Sequence, residues 1–579
     1  MKLFKYIAIA GVLSLSSCSK DFLGDDFLTK DPLDQLTDPA FWASENNIRT
    51  YTYGFYYSYF KGYGQGFGWG KYFSGQALND DFAPQTPAEF IINVPTSGGG
   101  WSPALPAIQD PTKTTSYYSR IRKANHFIES VPKSELAEEV QNHWSGIGRF
   151  FRGLEYANFV NAFGDVPYID HVLLEDDPDL YKPRDSRILV MDKVLEDFKF
   201  AAEHVRAVDG PNQQAVNKYV VLAYMSRVFL FEGTWLKYHN VDQTKAKEYL
   251  EASKWAAEQI MDAGAFNISN DYRALFTSES LKGNSEIIMF KEYVEGILQH
   301  SLMSYNNLES QSGMSKNAVD SYLLSDGLPI GLSGRYVGDK TVKDALTNRD
   351  GRMLQTVVPQ IRLMNIVSNY SSSGYSSHKF LNESLKDAVT GSGQLNITDA
   401  PIIRYGEVLM NYAEATAELG TLTTEDLNKS INLLRKRQGV GMPALEVIGG
   451  NPAVNGKVYD DPARDATVSS LIWEIRRERR TELMFEGFRL DDLRRWKKLE
   501  YADTDKNPTI NRGAYIVKAD YNESTLKGIY IDGTSAGYII PSNSNKRTVS
   551  EKYYLDPIPL DQISLYKQNG VDLEQNFGW

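Results

Sequence analysis

The chain has 579 residues, well beyond the ~250–300 at which one hydrophobic core stops growing, so a core with a second lobe or large insertions is expected. A formal net charge of −12 argues against a nucleic-acid partner, which needs clustered Lys and Arg, and disfavours electrostatic adsorption to anionic membranes. Hydrophobic and charged fractions are those of an ordinary globular protein, but 35 Tyr, 26 Phe and 9 Trp are unusual, and such rings suit surfaces that are both apolar and hydrogen-bonding.

Met1 to Lys5 is a basic leader, and Tyr6 to Leu15 is an apolar run too short to span a bilayer, which takes ~20 helical residues. The run ends in Leu15-Ser16-Ser17-Cys18, the pattern of a bacterial lipobox, which makes residues 1–17 a lipoprotein signal peptide and Cys18 the lipidated first residue of the mature chain. Cys18 is the single cysteine, so an intramolecular disulfide is excluded and thiol catalysis disfavoured. Cleavage removes Lys2 and Lys5 and takes the formal charge from −12 to −14. Residues 18–39 read as a polar, acidic tether between anchor and fold.

Ile48 to Phe60 reads as an aromatic-rich helix, a Tyr-heavy pattern that also fits a strand, followed by a glycine-rich loop from Lys61 to Gly70 and a second loop at Ser97-Gly98-Gly99-Gly100-Trp101. Helical spacing returns over Ser119–Ser130 and Glu135–Phe163, the latter stopped by Gly164-Asp165-Val166-Pro167. Further helices are expected over Ile188–His204, Lys218–Phe231, Thr244–Asp262, Pro401–Leu419 and Thr424–Gln438. Ala201, Ala202, Ala223, Ala256 and Ala257 lie where paired helices approach closely. About four such pairs suggest tetratricopeptide-like units, and an array of that kind usually offers a surface to a protein partner. Between 266 and 400 the helical period lapses: Glu286–Phe290 reads as a buried strand and Tyr370–Tyr375 as an exposed loop. The expected division is a helical scaffold over 40–265 carrying ligand loops at 61–101, an irregular lobe over 266–400, and a C-terminal helical scaffold over 401–579.

In that last part, Leu471–Trp496 crowds Glu474, Arg476, Arg477, Glu478, Arg479, Arg480 and Glu482 among apolar and aromatic residues. Gly487 separates two helical patterns within it. Guanidinium groups held between carboxylates and stacked on rings enter packed seams, so the stretch reads as an internal clamp with no catalytic role. Trp144, Trp473, Trp496 and Trp579 are assigned to the scaffold, as are Trp235 and Tyr238 at a helix end.

The run ERRTELMFEGFRLDDLRRW, Glu478–Trp496, closely resembles the C-terminal signature of the SusD/RagB family. Similar motifs occur in family order at Arg149–Pro167, Asp320–Ile330, Asp399–Ala415, Tyr554–Pro559 and Gln575–Trp579, so the resemblance covers most of the chain. It implies a mainly α, SusD-like fold: a tetratricopeptide-like helical-pair scaffold with a second loop-rich lobe. It also implies an outer-membrane, surface-facing lipoprotein that captures glycans and passes them to a SusC-like TonB-dependent barrel. Family members bind glycan with aromatics from the N-terminal loop region and the middle lobe, without a fixed ligand motif.

Catalysis finds little support. Asp80-Asp81 and Asp491-Asp492 are adjacent in sequence, which does not set two carboxylates across a glycosidic bond, and no nucleophile elbow, HExxH or Walker A motif occurs. The seven histidines lack metal-ligand spacing, no cofactor is expected, and a structural calcium held by scattered oxygens would leave little sequence trace. Sugar binding calls for exposed rings that stack on C–H faces, with short polar groups nearby. Trp69 and Trp101 lead the candidates, with Tyr63, Tyr72, Asn79 and Asp80 beside them, glycine placing the rings outside the core. In the second lobe the candidates are Tyr293, His300, Tyr305 and Tyr375. Competing readings are a binder of peptides or another nutrient on the same scaffold and, less favoured, a surface glycan-degrading enzyme.

Overall fold

The computed structural model describes residues 39–579 apart from 69, 71, 73–77, 99–100, 102–115, 175, 211, 309–312, 366–370 and 545. The expected signal peptide, Cys18, most of the tether and Trp69 lie outside the described residues.

The longer helices are α1 (Glu45–Tyr59), α2 (Tyr117–Ser130), α3 (Glu138–Phe163), α4 (Arg187–His204), α5 (Lys218–Tyr238), α6 (Gln243–Asp262), α7 (Tyr405–Glu418), α8 (Ser470–Glu482), α9 (Arg489–Arg495) and α10 (Leu560–Gln568). Their starts follow local chemistry. Ser116, Ser186, Asn217, Asp242 and Ser469 each accept a backbone N–H of the first turn, satisfying donors a helix cannot satisfy itself. α3 stops at Gly164, whose φ of +75° takes the chain out of the helix.

Consecutive helices pack side by side, α2 on α3, α3 on α4, α5 on α6 and α6 on α7, in the tetratricopeptide-like manner. Close approach is set by small residues: a Cβ on Gly233 of α5 would stand 2.8 Å from Leu250 Cγ and 3.0 Å from Ala246 O of α6. Ala201, Ala202, Ala223, Ala256 and Ala257 are all buried, as expected. α5 runs on to Tyr238, beyond the expected end at Phe231, carrying buried Trp235 and placing Tyr238 Oη 2.8 Å from Glu418 Oε1.

Two expected elements differ. Residues 400–404 form strand β2 (Ala400–Arg404), antiparallel to β1 (Ile287–Lys291), and α7 begins only at Tyr405. Pro401 sits in this two-stranded ladder, where its missing N–H costs less than in a helix interior. The expected helix 424–438 is two short turns, Thr424–Asn428 and Ile431–Arg435, broken at Ser430, whose ψ of −98° is not helical. Two small antiparallel sheets complete the strands: β3 (Glu446–Ile448), β4 (Asn451–Val454) and β5 (Lys457–Val458), then β6 (Tyr515–Val517), β7 (Tyr530–Ile531) and β8 (Ala536–Ile540) in the order β6-β8-β7.

The helices share one large core, and a second core gathers around Tyr272, Phe276, Phe290, Tyr322 and Phe380. Tyr63, Tyr72 and Phe82 join it from the N-terminal side, and Met484 and Phe485 from the C-terminal side. Ser371 to Tyr375, expected as an exposed loop, is buried: Ser371 Oγ donates to Tyr375 O at 2.5 Å and Ser372 Oγ to Ala83 O at 2.7 Å.

Joining the cores is the charged stretch, and its inward face is the clamp read from sequence. Glu474, Glu478 and Glu482, four residues apart, fall on one side of α8. Glu482 meets Arg404 at 2.8 Å, Arg437 at 3.1 Å and Arg352 at 3.2 Å; Glu478 meets Arg435 at 2.7 Å and Arg352 at 3.0 Å. Glu486, in the following turn, takes Arg404 and Lys379, both at 2.7 Å. Burial alone would raise the Glu482 carboxyl, but the three guanidinium groups pull it well below the usual carboxylate range. Burial lowers the Lys379 ammonium to about 8 despite Glu486. Ions so enclosed hold the fold through mutual compensation, and loss of one partner typically costs about 3–5 kcal/mol.

Candidate functional site

The outward face of α8 is different. Trp473, Arg476, Arg477 and Arg480 are spaced i, i+3, i+4, i+7 and share one wall of an open cleft of about 480 Å³. Arg489 and Trp496, from α9 and its C-cap, continue that wall. Opposite stand Asn317, Asp320 and Ser321 of the short helix Lys316–Ser321, with Tyr501, Lys506 and Asn507 from the segment after α9. Asp461 and Asp465 come from the loop before α8.

Trp473 and Tyr501 are half-buried, with ring surface left to the cleft, whereas Trp496 is 2% exposed and forms its floor. Their polar ends are anchored: Trp473 Nε1 donates to Asp461 Oδ2 at 3.1 Å, Tyr501 Oη to Asp465 Oδ2 at 2.5 Å, and Trp496 Nε1 to Glu414 Oε1 at 2.8 Å. Arg476 is sandwiched between Tyr238, 4.7 Å from ring centroid to guanidinium carbon, and Trp496, at 4.4 Å. Asp80 pairs with Arg489 at 2.6 Å and Arg480 at 3.2 Å. Burial favours its neutral form, yet Arg480 and Arg489 overcome this and bring its carboxyl down to about 2. Two aromatic faces beside amides and hydroxyls in an open cleft suit a ring with an apolar face and a polar edge. The larger groove of about 620 Å³ among α4, α5 and α6 has aliphatic and charged walls and the single ring of Trp255, so it lacks that pairing.

Of the ligand-binding candidates read from sequence, only Asp80 lines this cleft, and its carboxylate is engaged by arginine. Trp69 lies outside the described residues, and the remaining candidates are buried or half-buried instead of displayed on the surface. Trp101 is 2% exposed and packs edge-on against Phe159, Phe163 and Tyr566 in the large core. Tyr63, Tyr72, Tyr293 and His300 are brought together, but as an aromatic knot of the second core. Tyr63 Oη donates to Phe276 O at 3.0 Å, Tyr72 Oη to Pro401 O, and Tyr293 Oη to Gly64 O at 2.7 Å. His300 Nδ1 accepts from Leu302 N at 3.1 Å, which leaves Nε2 to donate to Thr398 O at 3.0 Å; burial lowers the ring to about 3 and keeps it neutral. Asn79 is buried, its Oδ1 accepting from Asp81 N at 3.0 Å. Tyr375 is fully buried, and Tyr305 is half-buried against the second core. The glycine loop does turn one ring outward, Phe67, which is 67% exposed.

Trp473, assigned to the scaffold from sequence, stands instead half-buried on the cleft wall, and Tyr501, Asn317 and Asn507 carry no signal that marks them as cleft residues. One signal was present: Trp473 shares its helix face with three arginines and no aliphatic residue, a poor match for a core-facing stripe. Metal spacing gave none, yet the fold brings donor atoms of His171, Asp177 and Asp179 within 4.8 Å of one another. These groups already bond locally: Asp177 caps a short turn by accepting from Asp179 N, and His171 Nε2 lies 3.2 Å from Asp177 Oδ2.

Residues 302–579 match the family model described as SusD family, and residues 102–230 match a second described as starch-binding associating with outer membrane. The chain belongs to the SusD/RagB family. Among relatives, SusD-like protein P38 of Formosa agariphila is 22% identical over 526 residues, covering 86% of this chain and 93% of that protein. A SusD-like carbohydrate binding protein from Bacteroides fragilis superposes with a TM-score of 0.65 at 21% identity, covering 91% and 99% of the two chains. A laminarin binding SusD-like protein superposes at 0.54 with 17% identity, covering 92% and 99%. These likenesses establish the SusD-like, mainly helical fold. Among the described residues, no helix is long and apolar enough to cross a membrane.

Proposed function

We propose that this chain is a glycan-capturing lipoprotein of the outer-membrane surface, anchored through Cys18, that holds oligosaccharides without altering them and hands them to a SusC-like TonB-dependent barrel. The observation that supports it best is the cleft itself, where Trp473 and Tyr501 offer ring faces beside Asn317, Ser321 and Asn507. Stacking supplies orientation-tolerant affinity and the amides and hydroxyls select hydroxyl geometry. Micromolar to millimolar binding, roughly −8 to −4 kcal/mol, suits a protein that must release what it holds. The exposed Phe67 offers a second contact for a long chain of sugars.

Affinity electrophoresis of the detergent-purified full chain through gels cast with a panel of polysaccharides tests this. At least one should retard the protein, Trp473→Ala should run ahead of it in that gel, and chromatography should show the polysaccharide unchanged after long incubation. Equal mobility in every gel would remove the glycan reading, and released products would remove the non-enzymatic one. Co-purification of the barrel with the anchored chain, lost in Cys18→Ala through failure to reach the membrane, tests the delivery step.

A further inference from the structure

Each acid of the cleft lies within ion-pair distance of a cation. Asp80 has Arg489 and Arg480, Asp461 has Arg477, and Asp320 has Lys316 at 2.7 Å. Asp465 and Glu500 share Lys498, at 2.7 and 3.4 Å. The bases are not all matched. Lys506 is exposed, and among the described residues no carboxylate lies within 4.0 Å of its ammonium. Arg476 is 5% exposed, and its Nε and Nη2 meet no hydrogen-bond acceptor; the carboxylate oxygen beside it, Glu418 Oε1, is 3.5 Å away. Glu418 is itself occupied by Lys237 at 2.7 Å and Tyr238 at 2.8 Å. The lining acids and bases are equal in number, and the cationic groups left with the weakest pairing are one buried guanidinium and one exposed ammonium.

We propose that the cleft takes an anionic saccharide, a sugar bearing a carboxylate or sulfate ester, with its ring on Trp473 or Tyr501 and its anion shared by Arg476 and Lys506. This deepens the reading of the cleft as the glycan site and rests on it. The Nε and Nη2 edge of a guanidinium presents two parallel N–H groups, which match two oxygens of a carboxylate or sulfate; Arg489 and Arg480 spend that edge on Asp80 and Asp81, and Arg477 gives its Nη2 to Asp461. A buried donor without an acceptor is unfavourable, so an anion here satisfies what the protein leaves unsatisfied. Because both N–H groups lie beneath the surface, binding includes rotation of Arg476 from its ring sandwich toward the cavity.

The test is titration calorimetry on the detergent-purified full chain with four oligosaccharides: galacturonan (carboxylate only), carrageenan (sulfate only), laminarin and malto-oligosaccharide (both neutral). One acidic probe should bind at least about ten-fold more tightly than either neutral one, which also says whether carboxylate or sulfate is preferred. Lys506→Ala, on an exposed side chain that leaves the fold intact, should weaken that probe roughly three-fold and flatten its salt dependence. Arg476→Gln should weaken it by about ten-fold with an unchanged circular dichroism spectrum. Neutral probes binding as well as acidic ones, acidic binding indifferent to both variants, or no acidic binding at all would overturn the proposal. Neutral binding that is lost in Trp473→Ala would overturn only the anionic class and leave the cleft as the glycan site. Acidic binding that survives Trp473→Ala would instead move the site elsewhere.

Discussion

The glycine-rich loop at 61–70 and the charged helix α8 invert what their compositions suggest. The loop has aromatic residues on flexible backbone, yet Tyr63 is driven inward to lie against Tyr72, Phe380 and His300, and only Phe67 among its described rings faces out. The helix has the charge of a solvated surface, yet Glu478 and Glu482 are fully buried while Trp473 and Arg480 reach a cleft. Composition governs how much a segment gains by burial. Which side is buried depends on what other segments bring to meet it, and here Arg352, Arg404, Arg435 and Arg437 come to α8 with compensating charge.

The strongest way to break this comparison is at the helix. Glu482→Gln removes the shared partner of three buried arginines, and a stability loss of about 3–5 kcal/mol is expected in denaturant titration; a loss below about 1 kcal/mol would mean the pairs are solvated surface pairs after all. In the loop, Tyr63→Ala should cost about 3 kcal/mol or slightly more by the same measurement, because it empties a site in the second core. Gly64→Ala comes next. Its φ is +79° and an added Cβ would lie 2.0 Å from Gly68 O, so about 1–3 kcal/mol of backbone strain is expected, with a mild variant showing that the loop is not pinned.

The knot beneath the loop also sets a pH dependence. His300 titrates at about 3 in the fold and near 6.5 when unfolded, because burial disfavours its charged form. Between those values the unfolded chain binds a proton that the native chain does not. Its contribution to stability therefore falls as pH falls below 6.5, by roughly 1.4 kcal/mol per unit. Melting temperatures followed from pH 7 to pH 4 should drop less steeply in His300→Gln than in wild type, and identical slopes would contradict a buried neutral ring. The smallest effect belongs to Phe67→Ala, expected within about 0.5 kcal/mol of wild type, since the ring is exposed; any larger loss would place it in a core.

The sequence by itself determined most of the long helices, the stop of α3 at Gly164, the close-packing alanines and the clamp role of Glu478 and Glu482, because periodicity, helix-breaking glycine and charge at fixed helical spacing are local properties of the chain. It also carried the family. Only tertiary structure decided that Pro401 lies in a strand beside residue 290, that Trp101 closes against Phe159 and Tyr566, and that the two faces of α8 serve different ends. Those outcomes depend on partners far away in sequence. A loop ring turns inward or outward according to the surface the loop folds back upon, and a charge is buried only where distant residues arrive to neutralise it.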